Sequence, residues 1–296
     1  MHSPKICANF TNLYRINMKN ILYLAITHLT LIAGNEIDPW CPTTNCQTDI
    51  SCDPCRRKFL FLLAQGRSGS TTLKNMINVL PGIRIGGETG QTIRNLDNLF
   101  NQIRRDGNFE NGNGDLKNSW GHNPYDTNYL ACPAMSMLEA LNPPLKNETD
   151  SETILGIKEI QNTESSLKFM IKYLPCARFI FNVRADNEGL SSALRTFHLK
   201  DRERLNAVRD TQNALFREYH KILGAHKSYF MDMNEWRDDK RYFDDLAKWL
   251  GYENCNYSGM FHDHNGAYRL DYKEISVGNE CRYVGSALPA IVSKDN

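Results

Sequence analysis

The stretch that decides how this chain is read is Lys58–Thr72, KFLFLLAQGRSGSTT. Its apolar residues, Phe59 to Ala64, predict a buried strand, and the run then breaks into a turn of Gly, Ser, Thr and one Arg. Small residues leave backbone N–H groups open, and the residues that follow read as the start of a helix. Strand, small-residue loop and helix N-terminus together make a cradle for phosphate or sulfate oxygens. The bland alternative is a Gly/Ser turn that caps a helix and binds nothing. Such a turn needs neither the unbroken small or hydroxylated run Ser68–Thr72 nor a buried strand before it. The loop is not a nucleotide P-loop. Counted from Gly66, the Gly-Lys of G-x-x-x-x-G-K-[ST] would fall on Thr71 and Thr72, so the lysine for β- and γ-phosphates is missing. What the loop offers an anion is Arg67, a permanent cation, with the amides and hydroxyls of Ser68, Gly69, Ser70, Thr71 and Thr72.

Outward from this loop, apolar runs alternate with amphipathic ones. Strands are expected at Phe59–Leu63, Ile83–Ile85, Thr153–Lys158, Arg178–Val183 and Ser228–Met231. Helices are expected at Thr71–Val79, Thr92–Arg105, Ser165–Tyr173, Arg202–Leu223 and Asp239–Leu250. The alternation predicts a three-layer, P-loop-like α/β fold, with a central, mostly parallel sheet flanked by helices. In the long helix, Leu205, Val208, Leu215, Tyr219 and Ile222 form a stripe that reads as core-facing. Between the second and third strands lies a long polar insert, in which DGNFENGNGD and NPPLKNETDSET carry no helical period. Insertions of that length often shape a binding site.

A second anion site is read at ARFIFNVRADNEGLSSA. Its apolar strand ends on Arg184, and Ser192 follows eight residues later in the next helix. An arginine closing a parallel strand stands at the carboxyl edge of the sheet, where doubly wound folds bind ligands. Two separated anion sites suit a nucleotide phosphorylated at both ends.

With these motifs the sequence resembles the sulfotransferases that use 3′-phosphoadenosine 5′-phosphosulfate (PAPS). QGRSGSTTL is similar to their 5′-phosphosulfate loop, in the Arg-containing form of the membrane-associated and carbohydrate sulfotransferases. FIFNVRADNEGLSSA is similar to their 3′-phosphate motif, although Asp186 stands where the family commonly has Pro. YFMDMNEWRDDKRYFDDLAKWLGY resembles their later strand and helix, so the likeness covers roughly residues 58–252. The resemblance implies PAPS as sulfuryl donor, no metal, and an acceptor hydroxyl or amine, expected on a carbohydrate or glycoconjugate. It further implies that Arg67 neutralises charge on the leaving phosphate. Glu88, in IRIGGETG, looks like the catalytic glutamate of several carbohydrate sulfotransferases. On the residues alone, Glu88 reads equally as a solvated loop carboxylate. Lys158, in ILGIKEIQ, is placed to hold the sulfate or an acidic acceptor, beside Glu159. His122 is an alternative base, and Trp120, Tyr125 and Tyr129 are candidates to stack on a sugar ring.

Composition sets the frame. The 296 residues are 41% hydrophobic and 23% charged with a formal net charge of +1, too balanced for a nucleic-acid partner. Lys5, Arg15 and Lys19 precede the apolar run Ile21–Gly34, which is shorter than the roughly 20 residues of a comfortable membrane span. Residues 1–34 therefore read as a signal peptide or an uncleaved signal-anchor, with a buried core helix as the plain alternative. Residues 35–57 read as a cysteine-bearing stem and residues 58–296 as the catalytic domain. Beyond the apolar run stand Cys41, Cys46, Cys52, Cys55, Cys132, Cys176, Cys255 and Cys281, an even set that reads as disulfides in an oxidising lumen. A zinc site on the first four is the lesser reading. With the sequons at Asn147 and Asn256, the cysteines place the chain in the secretory pathway, in the Golgi lumen by the family resemblance. Two other classes compete with a sulfotransferase: a P-loop kinase, which lacks its lysine here, and a secreted binding protein that keeps the fold without turnover.

Overall fold

The computed structural model describes residues 55, 57–106, 130–142, 153–184, 187–196, 201–237, 239, 241–258 and 276–285. Outside them lie the apolar run, the cysteines at 41, 46 and 52, Trp120, His122, Tyr125, Tyr129, Asn147 and Asp186.

Five strands form one parallel sheet: β1 (Phe59–Ala64), β2 (Ile83–Gly86), β3 (Ile154–Glu159), β4 (Arg178–Val183) and β5 (Ser228–Asp232). Their order is β2-β3-β1-β4-β5, which puts β1 at the centre. The near-unbroken apolar sequence of β1 follows from that position, because a central parallel strand is covered on both faces. Phe59, Phe61 and Leu63 enter one core with Phe179, Phe181 and Val183 of β4. The intervening Leu60 and Leu62 enter the opposite core with Ile180 and Met231. The pleat's period of two sorts a single apolar run into two layers.

Helices cover both faces. On the first lie α2 (Thr92–Asp106), α3 (Ala131–Leu141), α4 (Glu164–Tyr173) and α6 (Arg202–Lys227), contributing Phe100, Met135, Leu138, Leu167, Met170 and Phe216. On the second lie α1 (Ser70–Asn78), α7 (Met233–Trp236) and α8 (Arg241–Trp249), contributing Leu73, Met76, Ile77, Trp236, Phe243 and Leu246. The helix α5 (Asn187–Thr196) follows β4, and β6 (Tyr252–Glu253) pairs antiparallel with β7 (Arg282–Tyr283) near the end of the described chain. All five expected strands are present to within one residue at either end.

Two expectations are corrected. The insert after β2, read as polar, carries an apolar helix that the sequence reading did not list, α3, with Ala134, Met135 and Leu138 buried. The core face of α6 is also rotated from the expected stripe. Of that stripe, Tyr219 is buried and Leu215 packs against the core, but Val208 and Ile222 are 57% and 64% exposed, and Arg209, Phe216 and Leu223 are buried instead. The true face runs 209–216–223, one residue on from 208–215–222. A sequence reading that follows only apolar residues skips a stripe whose first member is an arginine.

Cys55 is disulfide-bonded to Cys176 and Cys255 to Cys281; Cys132 is disulfide-bonded as well. The pairing of Cys55 takes it out of a four-cysteine zinc site. Among the described residues no helix is long and apolar enough to cross a membrane.

Candidate functional site

In this strand order the chain leaves β1 toward β2 on one side and leaves β4 toward β5 on the other. The two connections part between β1 and β4, and the crevice at such a switch point is where open α/β sheets bind ligands. The β1–α1 loop stands there. Arg67 and Gly69 have φ of 65° and 71°, turning the chain sharply into α1. A Cβ on Gly69 would come within 2.8 Å of Met233 Sδ and 2.9 Å of Trp236 Cη2, so glycine meets both the backbone and the packing requirement. α4 and α6 are capped by the Thr163 and Asp201 side chains, whereas the N-terminus of α1 has no side-chain cap and no acidic residue in its first turn. Its first-turn N–H groups and the positive end of its dipole are left for an anion.

Ser68 differs from its neighbours. It is fully buried; its hydroxyl donates to the Gln65 carbonyl at 2.7 Å and accepts from Asn182 Nδ2 at 2.9 Å. Its N–H is spent on the Gln65 carbonyl at 3.3 Å, and Asn182 is in turn fixed by Trp236 Nε1 at 3.0 Å. The sequence reading grouped Ser68 with the anion contacts. The structure makes it a strut that ties the loop to β4, while Arg67 and Thr71 stand exposed and Thr72 half-buried.

The other expected residues converge on this loop from both flanks. On the β4 side, Arg67 Nε donates to Ser192 Oγ of α5 at 3.0 Å, so the two anion motifs touch. Arg184, buried at the end of β4, donates its N–H to Gln65 Oε1 at 3.2 Å. On the β3 side, Lys158 Nζ lies 2.5 Å from Glu88 Oε1 and 3.5 Å from Thr71 Oγ1. The Lys158 side chain is 8% exposed and that of Glu88 43%, so the pair joins a buried cation to a carboxylate open to solvent.

Glu159 follows Lys158 in the same strand and therefore points to the other face. Its Oε1 accepts from the Ile160 and Gln161 amides at 2.9 and 3.2 Å, away from the Lys158–Glu88 pair. The sequence reading missed Gln65, Lys74, Asn182 and Arg209. Lys74 lies one helical turn beyond Thr71, and burial together with the nearby Lys158 charge pushes its ammonium pKa down. The only sequence signal for these four is a polar residue at a strand end or in an otherwise apolar face.

Residues 60–232 match the family model described as "Sulfotransferase family". No curated protein matches the chain. Among solved structures, sulfotransferase STF9 from Mycobacterium avium aligns over 66% of this chain and 64% of its own, at 12% identity and a TM-score of 0.35. The chain thus spans just under two thirds of that relative's length. The YorR protein of Bacillus subtilis, solved in complex with phosphorylated GDP, aligns over 65% and 95% at 14% identity and a TM-score of 0.31. An uncharacterized protein from Eubacterium ventriosum aligns over 66% and 98% at 8% identity and a TM-score of 0.29.

Proposed function

Because the chain belongs to the sulfotransferase family, we propose that it moves a sulfuryl group from PAPS to a hydroxyl or amine of a carbohydrate or glycoconjugate. The observation that carries this reading is the hydrogen bond from Arg67 to Ser192. Two motifs separated by 125 residues in sequence meet across the crevice between β1 and β4. A donor with phosphates at both ends needs that arrangement.

The residues present fit such a donor. The uncapped first turn of α1 offers the N–H groups of Ser70, Thr71 and Thr72, and Gly69 lets the turn into it pack against Met233 and Trp236. Arg67 adds a fixed charge where a phosphate leaves, a contact that strengthens as negative charge develops there. Arg184 and Ser192 hold the 3′-phosphate end. Lys158 orients the Glu88 carboxylate through their ion pair and sits beside Thr71, within reach of a sulfate. Glu88 takes the proton that the acceptor loses as its new O–S or N–S bond forms. The chain's work is positioning and charge stabilisation.

In this reading the chain acts in the secretory pathway, in the Golgi lumen, behind its N-terminal signal or anchor. The disulfides and the exposed Asn256 of the second sequon support that placement. Isothermal calorimetry against adenosine 3′,5′-bisphosphate and ATP tests the donor site. Binding of the bisphosphate far above ATP and without Mg²⁺ is expected; equal affinities, or a Mg²⁺ requirement, would overturn the proposal. Transfer of labelled sulfate onto a panel of glycans, tyrosine peptides and small alcohols identifies the acceptor.

A further inference from the structure

The loops after β1 and β4 are joined by a closed ring of hydrogen bonds. Arg209, on α6 and 6% exposed, donates through Nη1 to the Gly66 carbonyl at 2.9 Å and through Nη2 to the Arg184 carbonyl. Gln65, fully buried at the end of β1, closes the ring. Its Nε2 donates to the Arg209 carbonyl at 2.8 Å, and its Oε1 accepts from the Arg184 N–H. One guanidinium therefore grips the loop after β1 and the loop after β4 at once, and one amide side chain holds the helix that carries it. From α5, Gly189 makes room for this contact. A Cβ there would lie 2.8 Å from Arg184 Cδ and 2.9 Å from Arg209 Nη2.

We propose that Arg209 is a positioning residue that couples the 5′-phosphosulfate loop to the 3′-phosphate loop, so that filling one site preorganises the other. The proposal rests on the donor reading above. The reason for using arginine is geometric: its planar fork reaches two carbonyls of different segments in one fixed arrangement, which lysine cannot do. The carbonyl oxygens of Gly66 and Arg184 are held in place by one buried guanidinium. It touches neither the donor nor the acceptor. Its contribution appears as coupling between sites and not as a contact with either.

The test is a double-mutant cycle in the full chain, with affinity for adenosine 3′,5′-bisphosphate measured for Arg67→Ala, Arg184→Ala and the double variant. The same cycle is then repeated on an Arg209→Lys background. We expect the two single losses to be strongly non-additive in the wild type and to become additive with Arg209→Lys. That background itself should bind the bisphosphate about tenfold more weakly. Gly189→Ala, which crowds the same guanidinium from the other side, should reproduce part of the effect if Arg209→Lys folds poorly. A merely structural arginine would lower the melting temperature and leave the coupling intact, and that outcome overturns the proposal. Hydrogen exchange of the unliganded protein keeps the two readings apart. Faster exchange of both loops in Arg209→Lys, with strand amides unchanged, supports the brace even if no adenosine bisphosphate binds, in which case the donor assignment falls. Faster exchange of one loop alone, or of neither, overturns the brace.

Discussion

Arg67 and Glu88 flank the α1 N-terminus from opposite sides, Arg67 tied to Ser192 beyond β4 and Glu88 to Lys158 at the end of β3. Their substitutions should therefore separate. Arg67→Ala removes a charge-assisted contact worth about 1.5–3 kcal/mol to the bound donor, so nucleotide affinity and turnover should fall together. Glu88→Gln keeps the side chain's size and should leave nucleotide affinity unchanged while turnover drops about 100- to 10,000-fold. Calorimetry and steady-state rates on the same preparations decide this. Glu88→Gln with near-wild-type turnover would move the base elsewhere, to His122, since Glu159 faces away from the site. Arg184→Ala should weaken adenosine 3′,5′-bisphosphate by a similar 1.5–3 kcal/mol, and adenosine 5′-phosphate much less. Equal losses for the two ligands would show that Arg184 does not hold the 3′ end.

The turn into α1 is an element-level device, because one glycine sets both its handedness and its clearance from α7. Gly69→Ala should cost about 1–3 kcal/mol in chemical denaturation, from the strained φ and from the overlap with Met233 and Trp236. An unchanged midpoint would mean that the loop relaxes freely. At the other end of the sheet, burial holds the His220 imidazole below its ordinary pKa of about 6.5, and its Nδ1 lies 2.8 Å from Ser228 Oγ. The folded state thus disfavours the protonated ring. Its contribution to stability is complete above the unfolded pKa and is lost as pH falls through the lowered folded value. Melting temperatures from pH 7 to 5 should show that loss, and His220→Gln should flatten it; an identical slope in the variant would assign the effect to other groups. α6 also shows where element-level reading falls short. Its length was legible up to Leu223, but its buried face was set by Arg209 and Phe216 docking onto strands and loops distant in sequence. Periodicity locates a stripe of apolar residues, whereas the partner surface decides which stripe is covered.

Across the molecule, the Cys55–Cys176 bridge ties the segment before β1 to the segment before β4, over 121 residues. Replacing both cysteines with alanine should cost about 2–5 kcal/mol, read as a melting temperature below that of the oxidised wild-type protein. If reductant leaves the melting temperature of the wild-type protein unchanged, the bridge does not contribute to stability. The sequence by itself determined the parallel strands and most of the helices flanking them. Apolar runs of strand length, amphipathic runs of helix length and a small-residue loop are local properties of neighbouring residues. It also singled out Arg67, Glu88, Lys158, Arg184 and Ser192 as candidates, because each lies in or near a loop that follows a strand, or in the helix after β4. Only the tertiary structure decided that Arg67 meets Ser192, that Lys158 meets Glu88, and that Ser68 is tied to Asn182. It alone disclosed Gln65 and Arg209, and it chose the partners of Cys55 and Cys255. The contacts around the site depend on the strand order β2-β3-β1-β4-β5. That order brings together residues dozens to more than a hundred positions apart, and no local pattern encodes which of them will be neighbours.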